Sequence, residues 1–338
     1  MYDRAGIMCR IIFLIAVSCL IAGNGFAEEG GSETSPLFII SPGYDFTSLS
    51  RQTIHTINIG ADFLVGDQDM PFDEVYRRFE GSALYEFFFF EPFLSGEKQE
   101  AGIPQRLHRI EAVFDGRIYR HQLYLEFKSF SDRPIAGGLA TIETKIGWGY
   151  EIIRRPHMSL ILGGLGVIDF GEEPPARLLP LLRFELDAHW FDLSFDFIKD
   201  PSLSFSIDPG ERFLFTADMW MREFRSIRDL GYEFTLWYRL FGADRCLGDF
   251  AGIGAGIKND GVYFEMSRSE VKFELWRTSI FATVVLPVIT IQGGWVFDSR
   301  YLLDGVNAGS PGRGFFISAQ GSIPIHAGAF PGNSRRRN

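Results

Sequence analysis

The sequence predicts an all-β chain of antiparallel strands running up and down, about 12 of them within a range of roughly 10–14. Three observations predict it. Apolar and polar residues alternate with a period of two along most of residues 51–326, the signature of strands with two unlike faces. Phenylalanine alone counts 34, within an aromatic content of 15%. Beyond residue 27 there is no run of about 20 apolar residues, so the apolar content does not come from helical membrane spans.

In chain order, Arg4 and Arg10 precede the apolar stretch "IIFLIAVSCLIAG", and small Ala27 precedes two glutamates. That is the layout of a secretory signal peptide over residues 1–27. A lipoprotein box at Cys19 competes less well, because the apolar run continues past it. Removing residues 1–27 deletes one acid and two bases, taking the formal charge from −10 to −11, which argues against nucleic-acid binding. It also removes Cys9 and Cys19, leaving Cys246 without a disulfide partner. Residues 28–50 open with "EEGGSETS" and read as a flexible N-terminal segment.

From residue 51 the alternation recurs in "TIHTINIGADFLV", "RHQLYLEFKSF", "RFLFTADMWM", "GYEFTLWYRLF", "VKFELW" and "GRGFFISAQGSIPI". One stretch, "PFDEVYRRFEG" at 71–81, admits a helix. Between these lie turn-rich segments, among them "KDPSLSFSIDPGE" and "LLDGVNAGSPGRG". The "NDG" of Asn259–Gly261 predicts a tight hairpin. In "FELDAHWFDLSFDF" the apolar phase is even up to Trp190 and odd from Phe191. A β-bulge is the simplest cause, and a hairpin at His189–Trp190 the alternative. Residues 327–338 form a basic C-terminal tail.

Two environments fit such strands. A soluble sandwich would bury the phenylalanines in a core, whereas a membrane barrel turns them to lipid and its acids to a watery interior. No linker or shift of composition divides residues 51–326, as a soluble chain of this length would normally show. Aromatics near segment ends (Tyr85, Phe93, Trp190, Trp220, Trp237, Tyr238, Trp276, Trp295 and Tyr301) suit interfacial girdles. Of Phe87–Phe90 two must face inward, as a hydrophobic constriction or because the strand is bulged. The pattern resembles bacterial outer-membrane β-barrel proteins as a class, which implies an antiparallel up-and-down transmembrane β-barrel. The same resemblance implies an outer-membrane location, contact with outer-membrane lipid, and assembly by the barrel-insertion machinery. Such proteins usually end on an aromatic residue; here only Phe330, outside the last clear strand, offers one.

Chemistry-bearing motifs are sparse, and neither cofactor nor metal is expected. "GIGAGI" lacks the third glycine and the βαβ setting of a nucleotide site; Gly252, Gly254 and Gly256 instead share one face, pointing to a close backbone approach or a narrow interior. The acidic loop of Asp67, Asp69, Asp73 and Glu74 lacks calcium-loop spacing. The one catalytic candidate is His157 with Ser159, two apart on a strand, with Glu172 or Glu173 to orient the imidazole. It is similar to the His-x-Ser arrangement of outer-membrane lipid A deacylases, although Leu160 stands where that family has asparagine. The non-aromatic faces carry Glu126, Lys128, Glu185, Asp187, Asp192, Asp196, Arg212, Asp218, Glu233, Arg239, Lys272 and Glu274, which would line a barrel's lumen. The reading is therefore a small-solute channel or structural barrel. A lipid hydrolase and a soluble periplasmic binding protein are the alternatives.

Overall fold

The computed structural model describes residues 37–66, 77–92, 105–133, 141–169, 174–188, 190–197, 201–209, 212–221, 230–241, 251–265, 271–286 and 289–326. The predicted signal peptide, the 71–76 part of the helix candidate, the 67–74 acidic loop, Glu172, Cys246 and the basic tail with Phe330 lie outside these residues. The strands are β1 Leu37–Leu49, β2 Gln52–Gly66, β3 Arg77–Pro92, β4 Arg106–Ile118, β5 His121–Ser131 and β6 Ile142–Arg155. They continue as β7 Met158–Asp169, β8 Ala176–Ala188, β9 Phe191–Phe197, β10 Ser202–Ile207, β11 Phe213–Met221 and β12 Leu230–Phe241. The last are β13 Ala251–Glu265, β14 Lys272–Leu286, β15 Ile289–Leu303, β16 Val306–Gly309, β17 Gly314–Gly321 and β18 Ile323–His326.

From β1 to β15 each strand pairs antiparallel with the next, β15 pairs with β17, and β17 with β18 returns to β1. The sheet is closed, which leaves no edge strand to be protected. β17 and β18 share one wall position, broken at Ser322, and β16 is a short return on the end of β15. The wall therefore has 16 strands, not about 12.

The undercount has identifiable causes. Pro42 and Gly43 hide the alternation of β1, so residues 37–49, assigned to a flexible segment, form a full strand that closes the barrel. The phase change at Trp190–Phe191 is a hairpin and not a bulge: Ala188 pairs with Phe191 and Asp187 with Asp192. "SLSFSI", read as part of a loop because prolines flank it, is β10. Residues 77–81 of the helix candidate belong to β3. The "NDG" hairpin is absent, since Asn259–Gly261 runs through the middle of β13, all three residues paired with β14 and Asn259 also with Tyr232 of β12. The hairpin of that chemistry lies at Asp304–Gly305, where both residues have positive φ (50° and 75°), as a type I′ turn requires.

Alternation sorts every strand into two faces. On the outer face Ile57, Ile146, Trp148, Leu236, Ile280 and Ile317 are each 49–54% exposed. On the other face, side chains four strands apart touch: Arg183 on β8 meets Asp115 on β4 at 2.7 Å, and Arg117 on β4 meets Glu185 on β8 at 2.9 Å. Such contacts are possible only across a concave interior, which identifies the inner face. The aspartates of β9 face inward with Arg183 and Ser206 as partners, and Phe191, Leu193, Phe195 and Phe197 face outward.

The two ends of the barrel differ. Leu37 and His326 pair at one end, which also carries the turns 119–120 and 156–157 and the two-residue connections from β8 to β9 and from β14 to β15. We call it the turn end. The opposite end carries most of the longer connections, 93–105 and 132–141 among them, and is the loop end.

Candidate functional site

The only interior the sheet encloses is its lumen, which three kinds of inward side chain divide. Along β4–β8 an apolar knot of Tyr124, Ile161, Leu165, Val167 and Leu181 packs onto the wall. A Cβ at Gly149 would lie 2.6 Å from Ile161, so glycine there is what admits the knot. Ion pairs surround it. Lys145 reaches Glu126 and Glu143 at 3.6 and 3.4 Å, and Lys128 reaches Glu143 at 2.9 Å. Arg183 bridges Asp115 and Asp196, while Gln122 donates to both oxygens of Asp115. Oppositely charged neighbours on adjacent strands stabilise the ladder and leave little net field in this half of the lumen.

The second part is a cavity of about 570 Å³ against β1–β4, β9–β11, β13–β15 and β17. Asp45, Glu86, Arg109, Asp196, Lys258, Asp260, Arg277, Gln292 and Ser318 line it. Arg277 holds Asp260 through two nitrogens at 3.1–3.2 Å and reaches Thr47 on β1 at 3.1 Å. Lys258 donates to Gln292 at 2.7 Å. The glycines of "GIGAGI" face this interior: a Cβ at Gly256 would lie 2.7 Å from the ring of Phe281, and one at Gly254 would lie 2.8 Å from Trp237. Close approach, not nucleotide binding, accounts for them.

The β8–β12 wall is different again. Its inward residues include Asp187 facing Asp192 and Asp218 facing Glu233, two like-charged cross-strand pairs separated by Ser194, Ser202, Ser204 and Ser206. Neither Asp187 nor Asp218 has an ion pair among the described residues. Like charges directly opposite one another cost stability, so this wall is negative at the expense of the fold.

The third part closes the loop end. Leu49, Ile54, Phe88, Phe90, Leu107, Phe130, Phe264, Phe273, Leu275 and Tyr301 form one buried cluster. Phe88 meets Phe264 edge-on at 5.2 Å, and Phe90 meets Phe273 at 6.1 Å. These contacts join β3 to β13 and β14, and Glu265 forms a backbone bridge with Ser131 of β5. Cations mark the boundary with the cavity: Arg109 lies 4.8 Å from the Phe130 ring and Lys258 4.8 Å from that of Phe316.

Of the residues singled out from sequence, Glu126, Lys128, Glu185, Asp187, Asp192, Asp196, Asp218, Glu233 and Arg239 occupy the inner face by register. Arg239 pairs there with Asp208 at 2.9 Å. Arg212 precedes β11 and is exposed, its guanidinium donating to the Tyr238 hydroxyl. Lys272 and Glu274 lie on the outer face. Lys272 sits over the Tyr263 ring, and Glu274 accepts from the indole N–H of Trp276. At this height the inner face is apolar (Phe273, Leu275) and the outer polar, the reverse of the mid-barrel pattern. The aromatic set splits as well: Trp190, Tyr238 and Trp295 are exposed on the outside, whereas Trp220, Trp237 and Tyr301 turn inward.

His157 sits exposed in the β6–β7 turn, and the Ser159 hydroxyl donates to Glu151 at 3.0 Å instead of to an imidazole. The structure brings no nucleophile–base pair together at this position. Sequence reading missed Asp115, Arg117, Arg183, Lys145 and Arg277. Arg183 is in phase with Glu185 and Asp187 on its own strand, so the alternation carried that signal, whereas Lys145 is found only by its pairing with Glu126, and Arg277 is out of phase with Lys272 and Glu274.

A closed antiparallel wall, apolar outside and charged within, defines the class of transmembrane β-barrels. Among solved structures the chain is similar to OccK7 (OpdD) of Pseudomonas aeruginosa, at 8% identity, TM-score 0.39, and coverage of 86% of this chain and 100% of that one. It is also similar to mutants of the Rhodopseudomonas blastica porin, one of them at 9% identity, TM-score 0.40, and coverage of 86% and 99%. No family model matches the chain, and no curated protein matches it either.

Proposed function

We propose that the protein is an outer-membrane barrel of porin-like type that passes small polar solutes. One observation carries the reading: the enclosed mid-barrel surface is charged and polar, and the exposed surface is apolar. Strands of 12–16 residues, such as β2, β3, β6 and β12, exceed the roughly 9–11 that a tilted strand needs to cross a bilayer. The short turns would lie on the periplasmic side and the longer connections on the cell surface. Outer-membrane lipid would be the partner of the apolar band, and insertion would use the barrel-assembly machinery.

The ion-paired half of the lumen is structural in this reading, and the 570 Å³ cavity with the β8–β12 wall is the passage. Its acidic cross-strand pairs, Asp187 with Asp192 and Asp218 with Glu233, and its serines favour small neutral or cationic solutes over anions. Reconstitution into planar bilayers tests this. Discrete conductance steps with a reversal potential on the cation side are expected under a salt gradient. A correctly folded barrel that produces no steps under any condition, or one that selects anions, would overturn it.

A further inference from the structure

We propose that the short wall at β9–β11 is a side entrance, through which single-chain amphiphiles with a cationic head pass between the outer leaflet and the lumenal cavity. The inference rests on the membrane placement proposed above. β9 and β10 have 7 and 6 residues, whereas β13, β14 and β15 have 15 each. Both short strands and their connection fit within residues 191–207, which limits either strand to about eight residues. At a tilt of about 40°, seven residues rise about 18 Å, short of the roughly 25 Å apolar band of a membrane barrel. The β8–β9 connection lies at the turn end with the others, so the shortfall falls at the loop end.

The neighbouring strand shows the opening above this wall. β9 pairs with β8 only over Leu182–Ala188, and among the described residues Ala176–Leu181 have no partner on that side. Ala176 to Pro180 are all exposed although they alternate between the two faces, and Leu178 reaches 82%. Pro180, with no N–H to offer a ladder, stands in this free edge. The cavity reaches the same rim: Asp196, Ser202 and Trp220 line it, and each is the inward residue nearest the loop end of its strand. Outward at that height stand Phe197, Leu203 and Met219. A molecule lying over the rim keeps its chain against these three while its head reaches Ser202. The sign of the head follows from the charges it meets. Arg277, Arg109 and Lys258 are engaged with Asp260, Glu86 and Gln292, whereas Asp218 faces Glu233 just below the rim.

Thiol labelling in lipid vesicles tests the entrance, in a Cys246→Ser background. The reagent is a maleimide carried on the headgroup of a phospholipid in the bilayer, and each rate is divided by that of a water-soluble maleimide. Ser202→Cys, inward at the rim, should give a ratio at least tenfold above that of Ser318→Cys, which faces the same cavity from β17. Equal ratios, or labelling of Ser202→Cys by the water-soluble reagent alone, overturn the entrance and leave the channel. Phe195→Cys, outward on β9, should react with the lipid-borne reagent; its failure to do so overturns the membrane barrel itself. Each variant is first checked for heat-dependent migration in detergent gels, which reports a closed barrel, and Ser204→Cys replaces Ser202→Cys if that is lost. The head is tested by block of the single-channel current. Decyltrimethylammonium should block at a concentration at least tenfold below that of decyl sulfate, and Asp218→Asn with Glu233→Gln should narrow the difference. Equal potency on the unmodified channel overturns the cationic head.

Discussion

At the residue scale, burial decides what an ion pair contributes. Arg183 is 14% exposed and holds two carboxylates, Asp115, which is buried, and Asp196, which is partly buried. Removing one partner of such a group leaves charge without compensation, a cost of about 3 kcal/mol or more. Arg183→Ala is therefore expected to lower the barrel's stability to urea by about that amount, at the low end because Arg183 and Asp196 keep some exposure. The Arg78–Glu80 pair, 42% and 41% exposed, is the contrast. Arg78→Ala should cost less than about 1 kcal/mol in the same titration. Equal losses for the two variants would contradict this ranking.

At the scale of the element, each strand reads as two unlike faces, and both can be tested on one strand. On β6, Ile146 is half exposed on the outer face, flanked by Thr144 and Trp148. Ile146→Arg should destabilise the inserted barrel by about 2–4 kcal/mol if that position lies near the bilayer midplane. On the β8–β12 wall, Asp218→Asn with Glu233→Gln should move the reversal potential toward zero while leaving stability equal or slightly raised, because a like-charged pair is removed. Elements with clean alternation, such as β5 and β12, were legible in the sequence. β1 and β10 were not, and the β8–β9 hairpin was legible only as the alternative to a bulge. Proline, glycine or a turn without either obscured the local period, and only pairing with neighbours shows that these segments are strands.

At the scale of the whole molecule, closure is the property that matters. β1 pairs on both sides, with β2 and with β17, so the wall is continuous. Disrupting that seam should have an effect out of proportion to its size. Replacing Phe46 and Tyr44 by aspartate, on the outward side of β1, is expected to abolish heat-dependent migration, whereas Tyr119→Asp in a turn should preserve it. The seam is invisible to sequence reading because its partners lie some 270 positions apart (Tyr44 with Ala319).

The period-two pattern by itself determined that the chain is all-β, that each strand has one greasy and one charged side, and which acids share a side. It did so because side-chain direction along a strand depends only on position parity. Only the tertiary structure decided that 16 strands close the wall. The same structure showed that Lys272 and Glu274 fall outside the lumen, and that phenylalanines from β3, β13 and β14 meet across it. Those facts depend on strand pairing and on the distance between opposite walls. Neither leaves a trace in the order of residues along one strand.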